Sequence, residues 1–156
     1  MLINEIRVLV KKEIQMEWRQ KYAIHGLLLY LASTIFVCYL SFKAKQQAIN
    51  PITWNTLFWL IILFIAVNAI GKSFTQESKQ RNIFYYSIVS PEAVIYSKIF
   101  YNALVMIGIS FVGIVFYSWV MGNAVGNLPL YLVSWLLGSI GFSATLTMVA
   151  GIAAQG

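Results

Sequence analysis

An all-α, polytopic membrane helix bundle is the fold class that this sequence predicts. Three observations point to it. Hydrophobic residues fill 60% of the 156 positions and charged residues only 10%, whereas soluble domains run at about 45–50% apolar and about 25% charged. The apolar residues gather into four long runs. The eleven basic and five acidic residues all lie between Glu5 and Lys98, and none falls in residues 99–156. A chain this short cannot hide so much apolar side chain in a core, because small domains have too much surface for their volume. The surplus must face lipid. A net charge of +6 would point to nucleic acid only on a basic face of a soluble body. Here the cations sit in short segments beside apolar runs, so no nucleic-acid partner is expected.

The first element, residues 1–21, is too polar to span. Ile3, Ile6, Val10 and Ile14 form one helical stripe, widened by Leu2 and Leu9. Lys11, Lys12, Gln15 and Arg19 lie elsewhere, while Glu13 and Glu17 intrude on the apolar edge. This predicts an amphipathic helix in the membrane interface, with Trp18 at headgroup depth. The competing reading is a soluble helix packed on another part of the protein.

The first span, residues 23–42, is bounded by Lys21 and Lys43. Its twenty residues, at about 1.5 Å each, cover a hydrocarbon core of about 30 Å. It exceeds the apolar region of a secretory signal, and Ile35-Phe36-Val37 before Cys38 are not the small residues of a cleavage site. It reads as an uncleaved span. Cys38, the sole cysteine, excludes an intrachain disulfide and reads as a small buried residue.

The second span, residues 54–71, carries Trp54 and Trp59 near one end. The third covers residues 99–121. The fourth, residues 128–154, is long enough to tilt, or to break near Gly138 and Gly141. No span has a charge at its centre, where one costs about 2.5–3.5 kcal/mol. Between the last two lies a tight hairpin, residues 122–127. Its glycines and asparagines tolerate left-handed backbone, and Pro129 suits the first turn of the next helix.

Lysine and arginine counts orient the array. Arg7, Lys11, Lys12, Arg19 and Lys21 precede the first span, and Lys72, Lys79, Arg81 and Lys98 lie in the second connection. The first connection has only Lys43 and Lys45, and the third has none. Nine cations against two place the N-terminus and the second connection in the cytoplasm.

That second connection, residues 72–98, is too long for a plain link, and loops of such length usually hold structure or function. A polar run with good helix formers, from Gln76 through Arg81, leads into Ile83, Phe84, Tyr85 and Tyr86. Ser90-Pro91-Glu92 then starts a second helix. Ser90 can cap free N–H groups, Pro91 loses nothing at the first position, and Glu92 complements the helix dipole. The expectation is a short helix, a break at Ser90-Pro91, and a helix running through Lys98 into the third span. The short helix reads either as a docking knob for a partner protein or as an aromatic anchor at the lipid headgroups.

Catalytic signatures are absent from the sequence. It has no Gly-rich loop ending in Gly-Lys-Ser/Thr for ATP, and no Asp. An enzyme is therefore not expected. His25, the only histidine, reads as an interfacial polar residue, with axial haem ligation as the rival reading. Asn68 and Asn102 are expected to bond to neighbouring helices.

Several residues together carry a resemblance. The interfacial helix, paired spans and long helical cytoplasmic loop look like type 2 exporter permeases of ATP-binding cassette transporters. Within that class, the segment from Glu13 to Lys21 with its Arg19-Gln20 pair resembles the start of the haem exporter protein B family of cytochrome c maturation. Phe74, Glu77, Ser90-Pro91-Glu92 and Ser97-Lys98 resemble that family's loop, and Leu137 to Phe142 with Thr145-Leu146-Thr147 its Gly-rich late span.

The resemblance implies a multi-pass subunit of the bacterial inner membrane that binds no cofactor itself. ATP is hydrolysed by a separate cytoplasmic ATPase, and other cytochrome c maturation membrane proteins complete the complex. Haem is the implied cargo and a second copy of the chain an implied partner. ATPase contact falls to Glu77, Arg81, Phe84, Tyr85, Tyr86, Pro91 and Glu92. Because the family has six spans, a C-terminally truncated form of a longer protein is expected. Two alternatives stand beside this reading: an exporter permease for a lipid, polysaccharide or drug, and a membrane assembly subunit without a transport path.

Overall fold

The computed structural model describes residues 1–46, 48–75 and 79–155, with residues 79–82, 86 and 155 described by their backbone alone. Six helices follow one another: α1 (Leu2–Arg19), α2 (Lys21–Ala44), α3 (Pro51–Thr75), α4 (Lys79–Ile88), α5 (Pro91–Met121) and α6 (Leu128–Gln155). Among the described residues there is no strand. Helices α2, α3, α5 and α6 are long and apolar enough to cross a bilayer, as a multi-pass membrane protein requires.

The spans form a four-cornered array. Helices α3 and α5 touch each other and both remaining spans, while α2 and α6 do not meet among the described residues. The core therefore lies around α3. Its Phe58, Ile62, Ile65 and Ala66 pack with Leu31 and Ile35 of α2, Met106 and Tyr117 of α5, and Trp135 of α6.

Helices α5 and α6 run antiparallel in a single register. Asn102 Nδ2 donates to Thr147 Oγ1 at 3.0 Å, and the Ser110 and Ser139 hydroxyls meet at 3.3 Å. Trp135 Nε1 donates to Ser110 Oγ at 3.0 Å. Small and hydroxyl residues let membrane helices approach closely and supply polar glue between them. Asn68 departs from expectation. Its side chain is exposed and donates to the Phe64 carbonyl of its own helix at 2.9 Å, because α3 turns that face away from every neighbour.

The fourth span does not break. Residues 128–155 form one helix, because Gly138 is used for close approach instead. A Cβ there would stand 2.5 Å from Trp59 Cη2. At the α5–α6 turn Gly122 takes φ +81°, and Asn127 Oδ1 accepts from the Leu130 N–H at 3.3 Å, capping α6.

Helix α5 has 31 residues and is thus about 46 Å long at 1.5 Å per residue. A hydrocarbon core of about 30 Å leaves some ten residues over. Helix α1 packs on this surplus. Its Leu9, Val10 and Glu13 are buried and it also touches α2, so α1 docks on the bundle.

Candidate functional site

The α1–α5 seam is built from carboxylates. Ser90 Oγ donates to Glu5 Oε2 at 3.1 Å, Lys98 Nζ lies 3.5 Å from Glu13 Oε1, and the Tyr101 hydroxyl donates to Glu17 Oε2 at 2.8 Å. Each advance along α1 is matched by a similar advance along α5. The two helices therefore run parallel, in register. Glu5, Glu13 and Glu17 stand at multiples of four, which puts them on one side of α1. The two acids that spoil the amphipathic stripe are the residues that α5 takes up.

Ser90 corrects one expectation. It occupies the N-cap position of α5, but its hydroxyl makes no capping bond. The donor goes to Glu5, a charged acceptor, and a charge-assisted bond is the stronger of the two.

Lys98 is the centre of the seam. Only 8% of it is exposed, and a buried cation needs partners. Besides Glu13, its ammonium lies 3.4 Å from the Ser73 carbonyl at the end of α3, and 5.0 Å from the centroid of the Phe74 ring. One side chain thus joins α1, α3 and α5.

Lys12 extends the network to α4. Its Nζ lies 3.7 Å from Glu13 Oε1 and 3.9 Å from the centroid of the Tyr85 ring, a cation–π contact. Tyr85 thereby ties the short helix to α1.

The expected contact residues divide accordingly. Tyr85 joins the seam. Phe84 is exposed, as are Ile83 and Ile88. Pro91 stands at the first position of α5 and Glu92 in its first turn, both exposed. Arg81 and Tyr86 lie on α4 with their side chains outside the description, and Glu77 lies outside the described residues. His25 is exposed on α2, its Nδ1 against the Lys21 carbonyl. Glu13 and Glu17 stood out in the sequence only as flaws in the stripe and Lys98 only in the charge count and as part of a resemblance, and Lys12 and Tyr101 were given no contact role. Their signal was the four-residue spacing of the acids, together with a last cation three residues before Tyr101.

The far end of the bundle carries Lys43 and Lys45, but the contacts around Trp54 are made by uncharged groups. Trp54 Nε1 donates to the Gly122 carbonyl at 2.8 Å, and the Tyr117 hydroxyl donates to the Trp54 carbonyl at 2.9 Å. The Trp54 ring packs against Phe58, Tyr117 and Tyr131 with centroids 6.1, 4.8 and 6.1 Å away. A cleft of about 270 Å³ opens beside it, lined in part by Pro51, Asn55, Asn127, Leu130 and Tyr131.

No family model, curated protein or solved structure matches the chain. The geometry must therefore speak for itself. What it offers is a mechanical linkage: a small peripheral helix, α4, tied through Tyr85 and Lys12 to a helix that grips α5 along its side.

Proposed function

We propose that the chain is the membrane-spanning permease subunit of an ATP-driven transporter of the haem exporter B type, with α1 and α4 on the cytoplasmic side of a bacterial inner membrane. The observation that carries this reading is the Tyr85–Lys12–Glu13–Lys98 chain of contacts. It gives an ATPase on the cytoplasmic face a handle, and gives the handle a path into a span. The excess of cations on that side supports the orientation.

In this mechanism a separate ATPase docks on α4, where Ile83, Phe84 and Ile88 are exposed. Closure of the ATPase pair displaces α4. The displacement passes from Tyr85 to Lys12 and so to α1, which holds α5 at Glu5, Glu13 and Glu17. Helix α5 is continuous over its 31 residues, so a push at its protruding end moves the membrane part with it. The Asn102–Thr147 bond hands the movement to α6. Haem is the cargo class, and delivery to the cytochrome c maturation machinery the outcome.

The test is co-expression with the cognate cytoplasmic ATPase. Phe84→Ala is expected to reduce ATPase co-purification. Glu13→Gln is expected to leave binding intact while uncoupling ATP turnover from the presence of this subunit. An ATPase that binds and turns over identically with both variants would remove the permease reading.

A further inference from the structure

Aromatic side chains aside, the buried polar and charged residues share one line among the described residues. Only Ser97 departs from it, bonded to the Val94 carbonyl of its own helix. The line starts at Glu13, Ser73 and Lys98, passes the Asn102–Thr147 pair, and ends where Ser110 meets Ser139. Lys98, Asn102 and Ser110 lie at multiples of four along α5, as do Thr147, Ser143 and Ser139 along α6. Each set therefore lines one side of its helix. Beyond Ser139 stands Trp135, 6% exposed and bonded to Ser110, and beyond it the rings around Trp54. The column is polar from the Lys98 end to the middle of the bundle, and aromatic from there on.

Two hydroxyls in it have no hydrogen-bond partner among the described residues, Ser73 Oγ and Ser143 Oγ. Their residues are 7% and 0% exposed. Elsewhere on the spans, Ser33, Ser41, Thr56 and Ser134 each donate to a carbonyl one turn back on their own helix. Ser143 does not. It stands midway between the two bonded pairs of α5 and α6, opposite Met106. A buried hydroxyl needs a partner, and inside a membrane bundle lipid supplies none. Water supplies one wherever polar groups offer it two or more bonds. At Ser73 those groups include Lys98 and Glu13, whose contact at 3.5 Å is longer than the about 2.8 Å of a close charge-assisted bond. At Ser143 they include the Thr147 hydroxyl one turn along, and the flexible thioether of Met106 can turn aside to make room.

We infer that water enters at the Lys98 end and binds along this column as far as Ser143, forming an aqueous half-channel that Trp135 shuts. Solvent then reaches the middle of the bundle from one face only, as one half of a path across a bilayer does. Neither the membrane orientation nor the permease proposal is needed for this. The alternative is a dry seam in which the Ser143 hydroxyl turns onto the Ser139 carbonyl.

The experiment uses the full chain with Cys38→Ala in native membrane vesicles of uniform orientation. One cysteine is introduced at a time, and the probe is a small cationic methanethiosulfonate that does not cross the bilayer. It attacks the thiolate, which forms only where water reaches. Ile3→Cys, at a position 79% exposed on α1, marks the side of the Lys98 end. From that side Ser143→Cys should react at least about tenfold faster than Ile140→Cys, although Ile140 is 48% exposed on the bundle surface and Ser143 not at all. From the opposite side the two should be equally slow. As a second readout, Ser143→Ala should lower the folding equilibrium constant about fivefold, as loss of a bonded hydroxyl does. Equal reactivity of the two cysteines from both sides would overturn the inference, even with that loss of stability, since a hydroxyl turned onto Ser139 would give the same loss. So would a Ser143→Ala chain as stable as its parent, the mark of a bare hydroxyl in a dry seam.

Discussion

The two ends of the bundle are held by different chemistry. At the Lys98 end the ammonium contacts are long, at 3.5, 3.7 and 3.4 Å, and only the Tyr101 and Ser90 hydroxyls beside them make shorter bonds to carboxylates, at 2.8 and 3.1 Å. At the Trp54 end the contacts are short and directed, at 2.8 and 2.9 Å, and backed by stacked rings. Coulomb attraction falls slowly with distance, so an ammonium can shift between Glu13 and Ser73 with little loss. A directed N–H···O bond weakens steeply once bent, and packed rings admit few arrangements. The ammonium contacts at one end thus tolerate displacement better than the ring stack at the other. The coupling proposed above would use that difference as a lever, with its handle at α4 and its fulcrum at the α5–α6 turn.

The largest expected effect comes from breaking the ammonium contacts. Glu13→Ala leaves Lys98 buried beside fewer compensating charges, and should cost about 3 kcal/mol of folding stability, read by denaturant unfolding in micelles. Replacing both partners, Glu13→Leu with Lys98→Met, should recover most of that loss while uncoupling α1 from α5. Equal losses in the single and double variants would show that the pair is not what stabilises the seam.

Next in size is a blow to the core between the ends. Gly138→Ala puts a methyl against Trp59 and should cost about 1–3 kcal/mol. Gly141→Ala is the control, since nothing lies within 4 Å of its Cβ position. It should be nearly neutral in the same unfolding measurement. Trp54→Phe comes third. It keeps the ring stack but loses the bond to Gly122, for about 0.5–1.5 kcal/mol, and should leave any ATPase coupling unchanged.

The smallest effect sharpens the contrast at a single hydroxyl. Ser90→Ala should cost about 0.5–1 kcal/mol through its bond to Glu5. In a Glu5→Ala background the same substitution should cost almost nothing. An undiminished cost there would restore Ser90 to an ordinary capping role.

Much of the architecture was legible from local pattern. Apolar runs and the cations that bound them depend only on neighbours in sequence, so each of the four runs emerges as a long apolar helix. The break at Ser90-Pro91 was legible for the same reason, since proline acts on the backbone where it stands. The helix α1 itself was visible, but its partner was not. Glu13 and Glu17 look like flaws in an amphipathic stripe until Lys98 and Tyr101, more than eighty positions away, come alongside. Long-range pairing leaves no local trace. The same blindness hid the role of Gly138, which a wheel or a hydropathy plot reads as a weak point, while the packed structure uses it to admit Trp59. Asn68 was read as glue because carboxamides in spans commonly are. Which way it faces is decided by how α3 packs against α2, α5 and α6.

The parallel stacking of α1 on α5 can be tested directly by disulfide trapping in native membranes, on a chain with Cys38→Ala. The pairs Glu5→Cys with Ser90→Cys, and Glu17→Cys with Tyr101→Cys, should both cross-link. The mismatched pair Glu5→Cys with Tyr101→Cys should not. Cross-linking of the mismatched pair alone would mean that α1 lies the other way, and absence of all three links would mean that it does not grip α5.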